Sequence, residues 1–224
     1  MFQERYPTTL KRGLRYVIDG QGRPTGTRPW AGEIVALVYD LAMSRSVFPK
    51  LFGADQGQHN AILMAALANV HGQRVVEVGT GSGSAAQWLS NDNGYAGSDI
   101  SPALLRRADK RFAAAGFADA AYYVAPANDL PLADAQFDLA LCVLSLNFFG
   151  GSEAALAEMR RGLKRGGRLL CCVPVPERIP AGSNVHGELL SADDLEAACQ
   201  RQGMSFQALD ETNGALLYFW ATRS

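Results

Sequence analysis

The stretch Val75-Val-Glu-Val-Gly-Thr-Gly-Ser-Gly83, running straight into Ser84-Ala85-Ala86, decides how this chain folds. A short apolar run rich in β-branched residues carries one carboxylate, Glu77, two places before the first of three closely spaced glycines. A small-residue segment able to start a helix follows at once. Strand, glycine turn, helix is the order by which an α/β protein brings bare backbone up to a nucleotide-like ligand. Glycine takes turn conformations closed to other residues and leaves no Cβ in the way. Spacing narrows the ligand further. The glycines stand at 79, 81 and 83, whereas a dinucleotide fingerprint needs its third small residue at 84, the position of Ser84. A nicotinamide-dependent oxidoreductase is therefore the disfavoured reading.

Downstream the pattern alternates. Strands are predicted near Arg74–Val78, Tyr95–Ser98, Ala121–Ala125, Phe137–Leu144 and Arg168–Val173, and helices near Ser84–Leu89, Pro102–Ala115 and Glu153–Lys164. Ser101 can cap a helix that opens on Pro102, whose missing N–H is no loss in a first turn. Glu153 at one end of its helix and Arg160, Arg161 and Lys164 at the other complement the helix dipole. Ser191-Ala-Asp-Asp194 resembles a capping box opening a helix to about Arg201, with Asp where Glu is usual. Strands near Ser205–Leu209 and Ala215–Thr222 flank a turn at Glu211–Gly214 and should pair antiparallel. The expected fold class is α/β: a Rossmann-like, doubly wound, seven-stranded and mostly parallel sheet ending in an antiparallel hairpin.

Upstream, Glu33–Met43 and Asn60–Val70 fit helices, while Ser46–Gly57, with Pro49, Gly53 and Gly57, reads as a loop. Everything before Pro29 is punctuated by Gly and Pro and reads as partly irregular. The chain thus divides into an N-terminal arm and helical lid, 1–72, and a core, 73–224, within one compact unit.

A length of 224 residues suits a single domain with a sizeable core, and 48% hydrophobic with 19% charged residues marks a folded globular chain. A formal charge of −1 offers no general attraction to nucleic acid. The basic residues Arg5, Lys11, Arg12, Arg15, Arg23 and Arg28 read as a solvated arm. Cys142, Cys171, Cys172 and Cys199 form no Cys-x-x-Cys pair and read as buried, reduced residues, so no metal is expected. No apolar run reaches membrane-spanning length and the start, Met1–Arg5, is polar, so a cytoplasmic location is expected.

Asp99 follows Glu77 by 22 residues, just past the second strand of the core. An ionised carboxylate there is a pure acceptor with two oxygens, suited to both hydroxyls of a ribose. With the glycine turn, Gly97-x-Asp99-x-Ser101, Leu130-Pro131-Leu132 ahead of Phe137-Asp138, and Leu163-Lys-Arg-Gly-Gly167, the chain resembles the class I S-adenosylmethionine (SAM)-dependent methyltransferases. The likeness runs from Val75 through the C-terminal hairpin, and its tone is that of small-molecule enzymes related to quinone biosynthesis.

The resemblance implies SAM as cofactor and S-adenosylhomocysteine as product. Gly79, Thr80, Gly81 and Gly83 would bring backbone to the methionine portion, and Glu77 would face its amino-acid end. Asp99 would hold the ribose, Ile100 would pack on adenine, and Ala127 and Asn128 would edge the ring. Cys142 and Leu144 would present backbone carbonyls to the ammonium group. Pro126 departs from the family pattern, which commonly has an Asp there. A small-molecule acceptor methylated at O, N or C by in-line displacement is implied, positioned rather than chemically activated. Candidate catalytic residues are His186 in the connection after the fifth core strand, Asn147, and Tyr39 of the lid, near Trp30. His59, at the start of the second helix, could face the acceptor pocket but reads first as surface or packing, and His71 reads as surface. Expected partners are the small molecule and, at most, a second copy as homodimer, with neither nucleic acid nor membrane. A SAM-binding protein without catalysis is the alternative of a different class.

Overall fold

The computed structural model describes residues 2–25 and 43–224. Its strands are β1 (Thr8–Lys11), β2 (Leu14–Val17), β3 (Arg74–Val78), β4 (Gly94–Asp99), β5 (Ala120–Val124), β6 (Phe137–Val143), β7 (Leu163–Pro174), β8 (Met204–Ala208) and β9 (Leu216–Arg223). They form one sheet in the order β1-β2-β5-β4-β3-β6-β7-β9-β8. The run β5-β4-β3-β6-β7 is parallel. β9 is inserted antiparallel between β7 and β8.

Strand alternation divides the core into two layers. Val75, Leu139, Leu141, Leu170, Cys172 and Tyr218 pack on one face, while Val76, Ala140, Cys142, Cys171 and Phe219 pack on the other. Both faces are covered, as a parallel sheet requires. α1 (Gln56–Leu67) and α2 (Pro102–Ala114) supply Leu63, Leu67, Leu105 and Phe112 to the first layer. α3 (Ser152–Gly162) and α4 (Ala192–Arg201) supply Leu156, Met159, Leu195 and Ala198 to the second. All four cysteines are buried and free. Among the described residues, no helix is long and apolar enough to cross a membrane.

The helix ends follow the sequence chemistry. Ser101 Oγ accepts from Leu104 N, with Pro102 in the first turn of α2. The Ser191–Asp194 capping box opens α4 in both directions. α3 starts at Gly151, which has no side chain to cap with; Glu188 reaches over instead, its carboxylate accepting from Ser152 N (2.9 Å) and Oγ (2.8 Å).

Three local expectations change. The sheet has nine strands, not seven, because the segment read as irregular forms the β1–β2 hairpin, and β2 pairs parallel with β5. Its two-residue turn puts both Arg12 (φ 52°) and Gly13 (φ 81°) in the left-handed region, the geometry that matches strand twist. An arginine at the first position hides that turn from a sequence reading. The helix expected over Ser84–Leu89 is a short 3-10 turn, Ser84–Gln87. Past this turn the Asn93 side chain donates to Val70 O and Ser90 O and accepts from Gln73 N, tying the start of β4 to the segment before β3. Part of the Ser46–Gly57 loop is a wide helical turn, Met43–Leu51, containing Pro49. Trp30, Tyr39 and most of Glu33–Met43, the expected lid helix, lie outside the described residues.

Candidate functional site

The site grows from the ends of β3 and β4. After Val78 the backbone turns through Gly79 (φ 78°), Gly81 (φ 55°) and Gly83 (φ 85°). Two of these are forced by neighbours as well as by φ. A Cβ on Gly79 would collide with the Ser145 side chain, and one on Gly83 would lie 2.6 Å from Ala108 Cα of α2. Gly81 differs, since a Cβ there meets nothing within 4 Å. Its backbone faces open space, a cradle that a side chain would fill.

Two carboxylates flank the turn. Asp99 Oδ2 accepts from Gly81 N (2.9 Å) and Oδ1 from Ser101 N (2.8 Å), so Asp99 latches the turn to the start of α2. Burial raises its carboxyl, against the pull of those backbone N–H groups. Glu77 is 3% exposed and accepts a short hydrogen bond from the Tyr95 hydroxyl, which also meets Thr80 Oγ1 (3.2 Å). Burial pushes the Glu77 carboxyl up to about 8; the Tyr95 bond opposes this and the Asp99 charge adds to it.

A cavity of about 570 Å³ opens over this turn. Glu77 and the Gly79–Gly83 backbone form its floor, with Val143 and Leu144 beside them. Leu144 has φ 56° and donates its N–H to Cys172 O (2.8 Å), which turns the chain away at the end of β6. One end of the cavity is aromatic, with Phe48, His59 and Trp88; Arg111 of α2 stands at the other and donates to Ser82 Oγ (3.0 Å).

Of the candidate cofactor residues, Glu77, Gly79, Thr80, Gly81, Gly83 and Leu144 line this cavity together, and Asp99 is bonded to its floor. Ile100 is 39% exposed beside Asp99, Asn128 is exposed, and Ala127 is buried; none of the three lines the cavity. The Cys142 side chain is buried on the opposite face, with Sγ 3.4 Å from Ser145 Oγ. Asn147 and His186 come together, but away from the cavity. Asn147 Nδ2 donates to His186 O (2.8 Å), and the His186 side chain is exposed. Tyr39 lies outside the described residues.

Sequence reading gave too little weight to the aromatic end. Of the readings open for His59, the packed one holds, and it also lines the cavity: Nδ1 lies 2.9 Å from Tyr218 Oη, and Phe48 and Trp88 pack at 5.0 and 5.7 Å between ring centroids. Burial lowers its imidazole to about 4, so it is neutral. Phe48, His59 and Trp88 come from three separate segments, and no spacing rule joins them. The available signal was a histidine at the start of an Ala- and Leu-rich helix.

A protein-family model described as a methyltransferase domain matches residues 76–171. A ubiquinone/menaquinone biosynthesis C-methyltransferase from Cupriavidus metallidurans is 28% identical over 145 residues, covering 62% of this chain and 59% of that protein. An O-methyltransferase from Aspergillus sclerotiorum is 34% identical over 108 residues, 47% of this chain and 41% of its own length. The chain therefore spans about half the length of these curated relatives. The crystal structure of a SAM-dependent methyltransferase from Aquifex aeolicus matches with a TM-score of 0.65 at 14% identity, covering 84% of this chain and 98% of that one. The mixed α/β sheet with antiparallel C-terminal strands is the fold these proteins share.

Proposed function

We propose, from the match of residues 76–171 to a methyltransferase-domain model and from the shared fold, that this chain is a class I SAM-dependent methyltransferase that binds SAM over the Gly79–Gly83 turn and methylates a small-molecule acceptor at O, N or C. The observation that carries this reading is the pairing of an open glycine cradle with two carboxylates. Gly81 faces empty space between Glu77 at the end of β3 and Asp99 at the end of β4, at the carboxyl ends of neighbouring parallel strands.

When bound, SAM supplies an electrophilic methyl group on a sulfonium, displaced in line by the acceptor. The chain's own residues hold and orient. Glu77 meets the ammonium of the methionine end, joined by the backbone carbonyls of Cys142 and Leu144. Gly79, Thr80, Gly81 and Gly83 give the methionine portion its backbone contacts. Asp99, already fixed by Gly81 and Ser101 N–H groups, turns its remaining lone pairs to the ribose hydroxyls. Ile100 covers one adenine face, with Ala127 and Asn128 at the ring edge. Near-attack geometry supplies much of the rate.

Calorimetric titration with SAM, S-adenosylhomocysteine and NADH tests the cofactor; binding of NADH alone would defeat the reading. Incubation of a cell extract with methyl-labelled SAM tests transfer and finds the acceptor. Tight SAM binding without label transfer would leave a binding protein that does no chemistry.

A further inference from the structure

The aromatic end of the cavity carries a hydrogen-bond relay that fixes the proton of one side chain. Asn213 starts it. Its Oδ1 accepts from Asp55 N (2.8 Å) and its Nδ2 donates to Asp55 O (2.9 Å), so the backbone of the residue capping α1 decides which way the amide points. Nδ2 also donates to Tyr218 Oη (3.2 Å). Tyr218 Oη also lies 2.9 Å from His59 Nδ1, and its other neighbour is the Cys172 thiol, a weak acceptor, so the hydroxyl hydrogen makes its stronger bond when directed to Nδ1. Burial pushes the Tyr218 phenol up, which keeps that hydrogen in place. A neutral imidazole that accepts at Nδ1 carries its proton on Nε2.

The surroundings keep that ring neutral and oriented. Phe48, Trp88 and Tyr218 pack around it, and the Trp88 indole is itself held by Nε1 donating to Asn60 Oδ1 (3.1 Å). Among the described residues lining the cavity, only Glu77 and Arg111 are acidic or basic apart from His59 itself. With Nδ1 taken by Tyr218, Nε2–H is the group His59 has left to offer a ligand in the cavity it lines.

We propose that His59 is a specificity-determining residue at the acceptor end of the cavity: locked by Asn213 and Tyr218 as the Nε2–H tautomer, it donates to an oxygen lone pair of a neutral acceptor and does not act as a general base. This rests on the methyl-transfer reading for the word acceptor, but the tautomer does not. An ammonium-bearing ligand has no lone pair to receive the N–H and would meet its positive hydrogen with like charge. A ketone, amide, ether or phenol oxygen satisfies the donor.

The test uses the full chain with ¹⁵N-labelled histidine at neutral pH. Long-range ¹H–¹⁵N spectra should show His59 as a pure Nε2–H tautomer, and Tyr218→Phe, with its melting temperature checked, should give a mixture. An Nδ1–H or doubly protonated His59 in the unsubstituted protein overturns the proposal. With S-adenosylhomocysteine bound, acetophenone, which only accepts, should shift the His59 Nε2 resonance, and benzylammonium, which only donates, should not. No shift with acetophenone, or an equal shift with benzylammonium, overturns it as well. His59→Phe should weaken acetophenone binding at least tenfold while leaving S-adenosylhomocysteine affinity within twofold, and His59→Gln, which keeps a donor, should restore part of the loss. Equal acetophenone affinity in all three proteins counts against the proposal. Failure of S-adenosylhomocysteine to bind at all would sink the cofactor reading alone, since the tautomer is read on the free protein.

Discussion

Glu77 is set to couple cofactor binding to the release of a proton. It sits at the end of β3 with almost no exposure, and burial holds its carboxyl at about 8. At pH 7 roughly nine in ten free molecules then carry a proton on Glu77. In the proposed complex an ammonium group faces this carboxyl, and a nearby opposite charge favours the ionised form. Binding near neutrality should therefore expel close to one proton. Between pH 5.5 and 6.5 the association constant should rise about tenfold, a change of about 1.4 kcal/mol, pass through a maximum near pH 8 and fall beyond it as the ligand's own ammonium is lost. An α-amino group of pKa about 7.7–8.0 stays charged throughout that window, so the slope belongs to the protein. The assay is calorimetric titration of SAM at pH 6.5 in two buffers of contrasting ionisation enthalpy, repeated with Glu77→Gln. Zero protons released, or an unchanged pH profile in the Gln variant, refutes the reasoning.

The same carboxyl sets a sign for stability. Its folded value lies above the unfolded 4.5, so the penalty for ionising it is absent below that pH and grows through pH 8. The cofactor-free protein should lose on the order of 4–5 kcal/mol from this group across the window, and Glu77→Gln should remove that slope from a pH series of urea melts.

Asp99→Asn must set its NH₂ against one of two backbone donors, Gly81 or Ser101. It should cost about 1–3 kcal/mol in urea unfolding, and Asp99→Ala should weaken SAM by roughly 1.5–3 kcal/mol in titration. Gly83→Ala strikes α2 at 2.6 Å and should lower stability by about 2 kcal/mol or more, whereas Gly81→Ala meets open space and should harm SAM affinity more than melting temperature. Arg161 pairs with Glu158 (2.8 Å) and donates to Leu130 O and Leu132 O, while Glu158 accepts from Leu130 N; Arg161→Ala should cost about 2–3 kcal/mol and loosen amide protection in the Leu130–Leu132 loop. His59, held at about 4 by burial, contributes stability that is complete above pH 6.5 and lost as pH falls towards 4. About 3 kcal/mol should vanish from the acid limb of the stability curve in His59→Gln.

The glycine turn and its two flanking carboxylates were legible in the sequence because they are local. β3, the glycine turn and Asp99 lie within one strand–turn–strand unit, where spacing and backbone chemistry speak directly. The same holds for Ser101 capping α2 and for the Ser191–Asp194 box. The hairpin β1–β2 escaped because Arg12 occupies a left-handed position usually marked by Asn or Gly. The short Ser84–Gln87 turn was overread as a longer helix because Ala85, Ala86 and Gln87 suit a helix of one turn or two alike. The aromatic end was illegible for another reason: His59 and Tyr218 are separated by 159 residues, and tertiary packing alone joins them.

That separation bears on how the molecule assembles in time. The parallel strands β3 to β6 span residues 74–143, and each pairs with a neighbour from the same stretch, so the cofactor cradle has short loops to close. β9 must instead slot between β7 and β8, and only then does Tyr218 reach His59 on α1. Long loop closure is slow. Pulse-labelled amides of β3 and β4 should gain protection before those of β9 in a refolding chain.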